Sequence, residues 1–263
     1  MKNITVLVLL LTVVGCDLFE YSPNQTFDRN SPRDLNAMNL ERLQSSAADD
    51  TVTIAFVGDS QRWYDNVDKF VDKVNTIESI DFVILSGDIT DFGLLNEFEW
   101  VHRSFSRLDR PYFAVIGNHD VIANGEDVFR TMFGPLNYSF VYDSIKFVMH
   151  NTNGREYPNI NVPDLNWLQH ELSAEEGVKY FIGVSHVPPM NGDFKPELVT
   201  PYTQLLSSTP GFLLSLHGHI HDHIDEYPYN DGLRYITSYA FNQPKFLVLK
   251  IAGGNIVKEE ITY

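Results

Sequence analysis

Five short polar clusters hold side chains that can bind metal: Gly58-Asp59-Ser60-Gln61, Gly87-Asp88-Ile89-Thr90-Asp91, Gly117-Asn118-His119-Asp120, Ser185-His186 and Gly218-His219-Ile220-His221. Together they offer carboxylate, amide oxygen and imidazole. That donor set suits divalent ions of intermediate hardness, such as Mn, Fe or Zn. No thiolate competes, because the one cysteine, Cys16, lies far from the clusters in sequence. Two such ions about 3.5–4 Å apart, bridged by a carboxylate and a hydroxide, form a site for in-line displacement at phosphorus. A nearby histidine that is not a ligand can then protonate the leaving oxygen.

Taken singly, each cluster reads as something plainer. Gly-Asp and Gly-Asn pairs are common turns, because Asp and Asn bond their own backbone and Gly supplies unusual angles. A lone histidine such as His186 is most often hydrogen-bonded structure. His219 and His221 are harder to dismiss, since alternate residues near a strand end point the same way. All five clusters together, each directly after an apolar run, do not fit independent turns.

Those runs cover residues 51–57, 81–85, 111–116, 179–184 and 211–216. They are short, rich in β-branched and aromatic residues, and bounded by Gly or Pro, as strands buried on both faces are. Between the first three lie helical stripes: Val67, Phe70, Val71, Val74 and Ile77, then Phe98, Val101, Phe105 and Leu108. Strand and helix in alternation predict a mainly parallel sheet. Ligands at successive strand ends then converge where open α/β sheets place their chemistry. Later segments change character. Residues 138–142 and 146–151 flank Asp143-Ser144 as a hairpin would. Residues 233–239, 246–251 and 255–262 read as short antiparallel strands. So many strands predict two stacked sheets with helices outside, a four-layer α/β/β/α sandwich.

The ordered clusters closely resemble those of the calcineurin-like metallophosphoesterases, from about residue 51 onward. The Gly-Asn-His-Asp and Gly-His-Ile-His pieces are the most specific. The resemblance implies an α/β/β/α sandwich with a dinuclear metal site, in agreement with the two-sheet reading. It implies Asp59 and His221 on the first ion, Asp88 bridging both, and Asn118, His186 and His219 on the second. His119 would be the general acid, oriented by Asp120. Asp91 would support the site rather than bind metal. One departure stands out: the family usually has Asp-x-His at the first cluster, and this chain has Asp59-Ser60-Gln61. The expectation is that the Gln61 amide oxygen ligates the first ion, against the alternative that water fills the gap. A neutral oxygen there favours Mn or Mg over later metals. His217 and His223 extend the histidine run without matching the family pattern. Arg62 is either a contact for substrate phosphate or a solvated arginine at a helix start.

The N-terminus is separate. Lys2 precedes an apolar run over residues 4–14, too short to span a bilayer and shaped like a secretory signal. Val13-Val14-Gly15-Cys16 resembles a bacterial lipoprotein cleavage box. The resemblance implies removal of residues 1–15 and a lipid on Cys16, placing the protein in the bacterial cell envelope as a lipid-anchored exported protein. Residues 16–48 read as a polar tether with a short helix starting near Ser31-Pro32-Arg33-Asp34, from which Leu35, Met38 and Leu43 would reach the domain. The catalytic domain then occupies residues 49–263. One cysteine excludes an internal disulfide.

Formal net charge is −16, and removal of residues 1–15 takes Lys2 with it to leave −17. Such a surface repels nucleic acid except where metals invert the local sign, and no basic patch with interleaved aromatics appears. The expected activity is hydrolysis of a phosphate mono- or diester by a metal-bridging hydroxide, with two divalent ions as cofactors. Asn153, Arg155 and Tyr157, in the stretch 151–162, are candidates for substrate contact. The alternatives are a non-catalytic, metal-containing surface binding module on the same fold, suggested only by Gln61, and a hydrolase of a non-phosphorus bond. An intact His119 argues against the binding module, which needs no general acid.

Overall fold

The computed structural model describes residues 26–45 and 51–263. The signal-like run, Cys16 and both ends of the tether, 16–25 and 46–48, lie outside the described residues. Helix α1 (Leu35–Gln44) comes first. Strands β1 (Val52–Val57), β2 (Phe82–Leu85) and β3 (Tyr112–Ala114) then alternate with helices α2 (Tyr64–Asn75) and α3 (Leu95–Phe105). Helix α4 (Gly125–Phe133) leads to the hairpin β4 (Tyr138–Tyr142) and β5 (Ile145–Met149). After it come α5 (Leu165–Glu171), β6 (Tyr180–Val184), α6 (Pro196–Ser208), β7 (Phe212–His217), β8 (Asp225–Glu226), β9 (Arg234–Thr237), β10 (Lys245–Ala252) and β11 (Asn255–Thr262).

The strands form two mixed sheets, ordered β11-β10-β1-β2-β3 and β4-β5-β6-β7-β9-β8. Strands β1, β2 and β3 are parallel, as are β5, β6, β7 and β9. Alternation along each strand divides the core into three. Ile54, Phe56, Phe82, Ile84, Phe113, Phe147, Ile182, Val184, Leu214 and Leu216 fill the space between the sheets. Ala55, Val57, Val83 and Leu85 face the other way, against Phe70, Val74, Phe98 and Phe105 of α2 and α3. Phe181 and Tyr235 meet Leu168, Tyr202 and Leu206 of α5 and α6. Strands covered on both faces must be apolar on both, hence the unbroken apolar runs. This is the four-layer α/β/β/α sandwich expected.

Two readings of the sequence need correction. Segments 246–251 and 255–262 pair antiparallel as expected, but 233–239 does not join them. Strand β9 runs parallel to β7 and antiparallel to the two-residue β8, while β10 crosses to the other sheet between β1 and β11. The apolar pattern fixed strand character, but the sheet was chosen by which core each face could enter. Ser31 does not cap the first helix either. Its backbone N–H and that of Asn30 donate to Asp28, and Asp34 takes a left-handed turn before the helix starts at Leu35.

Helix α1 is built into the domain. Leu35 and Leu43 are buried while Met38 is exposed. The Asn36 side chain accepts from Ala114 N–H at 3.0 Å and donates to Ala114 C=O at 3.3 Å. It thus occupies the open edge of β3 as a neighbouring strand would, which hides backbone groups that otherwise invite edge pairing.

Candidate metal centre

Asp59 follows β1, Asp88 follows β2, Asn118 follows β3, His186 follows β6, and His219 and His221 follow β7. All five strand ends point to one place, where the two sheets meet. The turns are held by each other's backbone. Asp59 N–H donates to Gly87 C=O, Gln61 N–H to Asp88 C=O, and Gly218 N–H to His186 C=O. The carboxylates also join turns: Asp88 accepts from His119 N–H at 2.9 Å, and Asp59 from His219 N–H at 3.1 Å.

The close approach dictates residue type. A Cβ on Gly117 would lie 2.0 Å from Asp88 N, so only glycine fits. Four of the proposed ligands, Asp59, Asp88, His219 and His221, have left-handed backbones, with φ of 57°, 49°, 71° and 62°. Such angles cost a non-glycine residue about 1–3 kcal/mol each and persist only where surrounding bonds enforce them.

Two groups of ligand atoms result, Asp88–His186–His219 and Asp59–Asp88–His221, with the atoms of each group within 4.8 Å of one another. Asp88 is common to both, as a bridging carboxylate must be. Asn118 joins the first group: its Oδ1 lies 3.1 Å from His186 Nε2 and 2.9 Å from His219 Nδ1. Gln61 joins the second. Its amide nitrogen lies 3.1 Å from His221 Nε2, and its Oε1 is buried without a hydrogen-bond partner. Which amide atom faces inward is an assignment that a bound ion would decide. An orphaned amide oxygen beside converging carboxylate and imidazole atoms fits a cation, and the donor set fits two divalent ions.

Electrostatics point the same way. Asp59, Asp88 and His186 are fully buried. Burial opposes charge on His186, but the adjacent Asp88 carboxylate overrides it and pushes the imidazole up to about 9. Asp88 is correspondingly held below the usual carboxylate range against its own burial, chiefly by His186. Burial raises Asp59 well above that range, against the pull of His186. A proton on His186 therefore does part of the work of a metal cation. His219 is pushed down to about 4 by burial and by the charge of His186, which keeps it neutral and able to ligate.

His119 stands beside the centre with its Nδ1 3.0 Å from Asp91 C=O. Nδ1–H donates there, leaving Nε2 as the working nitrogen. The expected orienting partner, Asp120, does something else. It is buried and accepts from Ile89 N–H, Thr90 N–H, Thr90 hydroxyl and Gly117 N–H, so it ties the second and third turns together rather than facing the His119 ring. Asp91 lies outside both ligand groups: its carboxylate accepts from Tyr64 OH at 2.8 Å and pairs with Arg62 at 3.5 Å. His217 is buried against Ser185, and His223 bonds Thr237 C=O and Lys258, so neither joins the ligand groups.

Among the candidates for substrate contact, Arg155 is exposed and pairs with Asp193. Asn153 is buried and donates to Ile116 C=O, just ahead of the Gly117-Asn118 turn, so it supports the site from beneath. Tyr157 OH bonds Glu126, away from the centre. Sequence reasoning missed Asp193, whose Oδ2 lies 3.3 Å from His219 Nε2. It also missed Ser86, whose carbonyl accepts from His186 Nδ1 at 2.7 Å. A backbone carbonyl and a loop aspartate leave no pattern in a sequence.

The family model for calcineurin-like phosphoesterases matches residues 52–223, and the chain belongs to that family. The described residues hold the candidate groups for the two divalent ions that this family uses. Among curated proteins it is similar to a probable glycerophosphodiester phosphodiesterase, GpdQ, of Arcobacter nitrofigilis, at 28% identity over 115 residues, 41% of this chain and 42% of that protein. The match thus spans less than half the relative's length. Among solved structures it is similar to GAP50, the anchor in the inner membrane complex of Plasmodium (TM-score 0.62, 16% identity, 81% of this chain and 84% of that one). It is also similar to a dimetal phosphatase from Danio rerio (TM-score 0.60, 15% identity, 81% and 99%). At these identities the structural likeness speaks for the fold.

Proposed function

We propose that the chain is a phosphodiesterase held at a bacterial envelope membrane by a lipid on Cys16. The observation that carries the catalytic part is the pair of ligand groups sharing Asp88, with His119 poised beside them. Asp59, Gln61, Asp88, Asn118, His186, His219 and His221 would hold divalent ions, which when bound would supply charge neutralisation for phosphoryl oxygens and activation of water at neutral pH. The chain's own groups do the rest. Asp91 C=O fixes the His119 ring through Nδ1–H, so the protonated imidazole presents Nε2–H to the departing alkoxide.

Charge around the mouth favours a diester. The flanking cations Arg62 and Arg155 are each paired with a carboxylate, Asp91 and Asp193. Beyond its ions the pocket therefore has little positive charge to spend on a dianionic monoester, and the whole chain carries −16. A singly charged diester meets less repulsion. The activity named for the Arcobacter relative agrees with this reading. The test compares bis(p-nitrophenyl) phosphate with p-nitrophenyl phosphate on the metal-loaded protein. A kcat/KM ratio of about ten or more for the diester is expected, equivalent to about 1.4 kcal/mol. A ratio below one would reverse the assignment.

The anchor rests on Lys2, the apolar run over residues 4–14 and Gly15-Cys16. Among the described residues no helix is long and apolar enough to cross a membrane. Detergent-phase partitioning should be lost in Cys16→Ala; equal partitioning of the two proteins would reject the lipid.

A further inference from the structure

We propose that Asp193 is a positioning residue for the second ion: it fixes the His219 ring so that Nδ1 is the nitrogen that ligates. The inference rests on the metal-site reading above. His219 has two ring nitrogens facing opposite ways. Nδ1 points inward, 2.9 Å from Asn118 Oδ1. Nε2 points outward, 3.3 Å from Asp193 Oδ2. An imidazole that donates one N–H to a carboxylate has its tautomer set, and its other nitrogen is left as a better base. His186 is fixed in the opposite sense by Ser86 C=O at Nδ1, with Nε2 inward. The two rings stand nearly perpendicular at 84°, with centroids 5.1 Å apart. Each thus brings a different nitrogen to the same place, and each needs its own outer partner.

Asp193 is itself held. Its backbone N–H donates to Asn191 Oδ1 at 2.8 Å, and the next residue, Phe194, is buried in the core under α6. Its other carboxylate oxygen is taken by the exposed Arg155. One carboxylate therefore serves an inner imidazole and an outer guanidinium. The inner contact orients a ligand, while the outer one reaches solvent.

The test is calorimetric titration of the metal-stripped full-length chain with Mn, read as two binding steps. Asp193→Ala should weaken one step by about 10–100-fold and leave the other within about threefold. Asp193→Asn keeps an acceptor for Nε2–H but loses the charge, so a smaller loss at the same step is expected. This near-isosteric change also decides the matter if Asp193→Ala fails to fold. Arg155→Ala keeps the inner contact and should leave both steps within about threefold of wild type. Wild-type affinity at both steps in Asp193→Ala and Asp193→Asn would overturn the proposal. So would an Arg155→Ala protein that reproduces the Asp193→Ala loss, since the salt bridge and not the imidazole contact would then matter. A wild-type chain that binds no metal would instead remove the site reading itself.

Discussion

Metal uptake should expel protons, and the number follows from the buried charges. Without metal, His186 is pushed up to about 9, with its imidazolium paired to Asp88. Asp59 is raised well above the usual carboxylate range by burial. At neutral pH the cavity therefore holds a proton on His186, and burial favours protonation of Asp59 in the same direction. A divalent ion needs a neutral imidazole and an ionised carboxylate, so each proton must leave when the ion enters. The sign is fixed by a raised folded-state value: affinity is full above about 9 and falls as pH drops below it. Each pH unit well below that value costs about 1.4 kcal/mol, so binding at pH 7 should be about fiftyfold weaker than at pH 9 from His186 alone. Calorimetric titration with Mn in buffers of different ionisation enthalpy measures the released protons directly. At least about one per pair of ions is expected at pH 7, and His186→Asn should remove about one. No buffer dependence, or an affinity flat between pH 6.5 and 8.5, would refute the reasoning.

Three further perturbations separate roles. His119→Ala should keep both ions yet lose about 10²–10⁴ in rate on an alkyl ester, and far less on a p-nitrophenyl ester whose leaving group needs no proton; full alkyl-ester activity would remove the acid assignment. Gln61→His should raise affinity for Zn more than for Mn, because imidazole replaces a neutral oxygen. Identical Zn and Mn titrations, with Gln61→Ala also unchanged, would show that Gln61 does not ligate. Buried His150, bonded to Val148 C=O and Tyr202 OH, is pushed down to about 4 by burial. It stays neutral when folded but charges near 6.5 when unfolded, so its contribution is complete above that pH and is lost towards pH 4, about 3 kcal/mol in all. Urea midpoints should fall over this range, less so in His150→Gln, and an equal fall in both proteins would assign the loss elsewhere.

What the sequence revealed divides along a physical line. Residues such as Ile84, Phe56 and Phe70 betray their elements because burial repeats with the period of the backbone. The convergence of the candidate ligands was readable because Asp59, Asp88, Asn118, His186 and His219 sit directly behind such strands, where both placement and chemistry constrain the residue. Partners that act through one contact were not readable. Asp120 looked like the companion of His119 because it is next in the chain, yet it turns inward to four donors and the Asp91 carbonyl takes its place. Nothing in Pro188-Pro189-Met190-Asn191-Gly192-Asp193 distinguishes the residue that meets His219 from an ordinary turn. The route of β10 between β1 and β11 was hidden for a similar reason: an apolar strand fits either sheet until the long-range pairing is known.

Two divalent ions sharing Asp88, with phosphoester hydrolysis dependent on them, are what the geometry of the centre most strongly implies. Metal content and bis(p-nitrophenyl) phosphate turnover, measured on the same samples of wild type and Asp88→Asn, test this most directly. The wild type should hold two ions per chain, while Asp88→Asn should lose at least one and drop in rate by at least about a hundredfold. An Asp88→Asn protein that keeps two ions and turns over substrate at the wild-type rate would contradict the account.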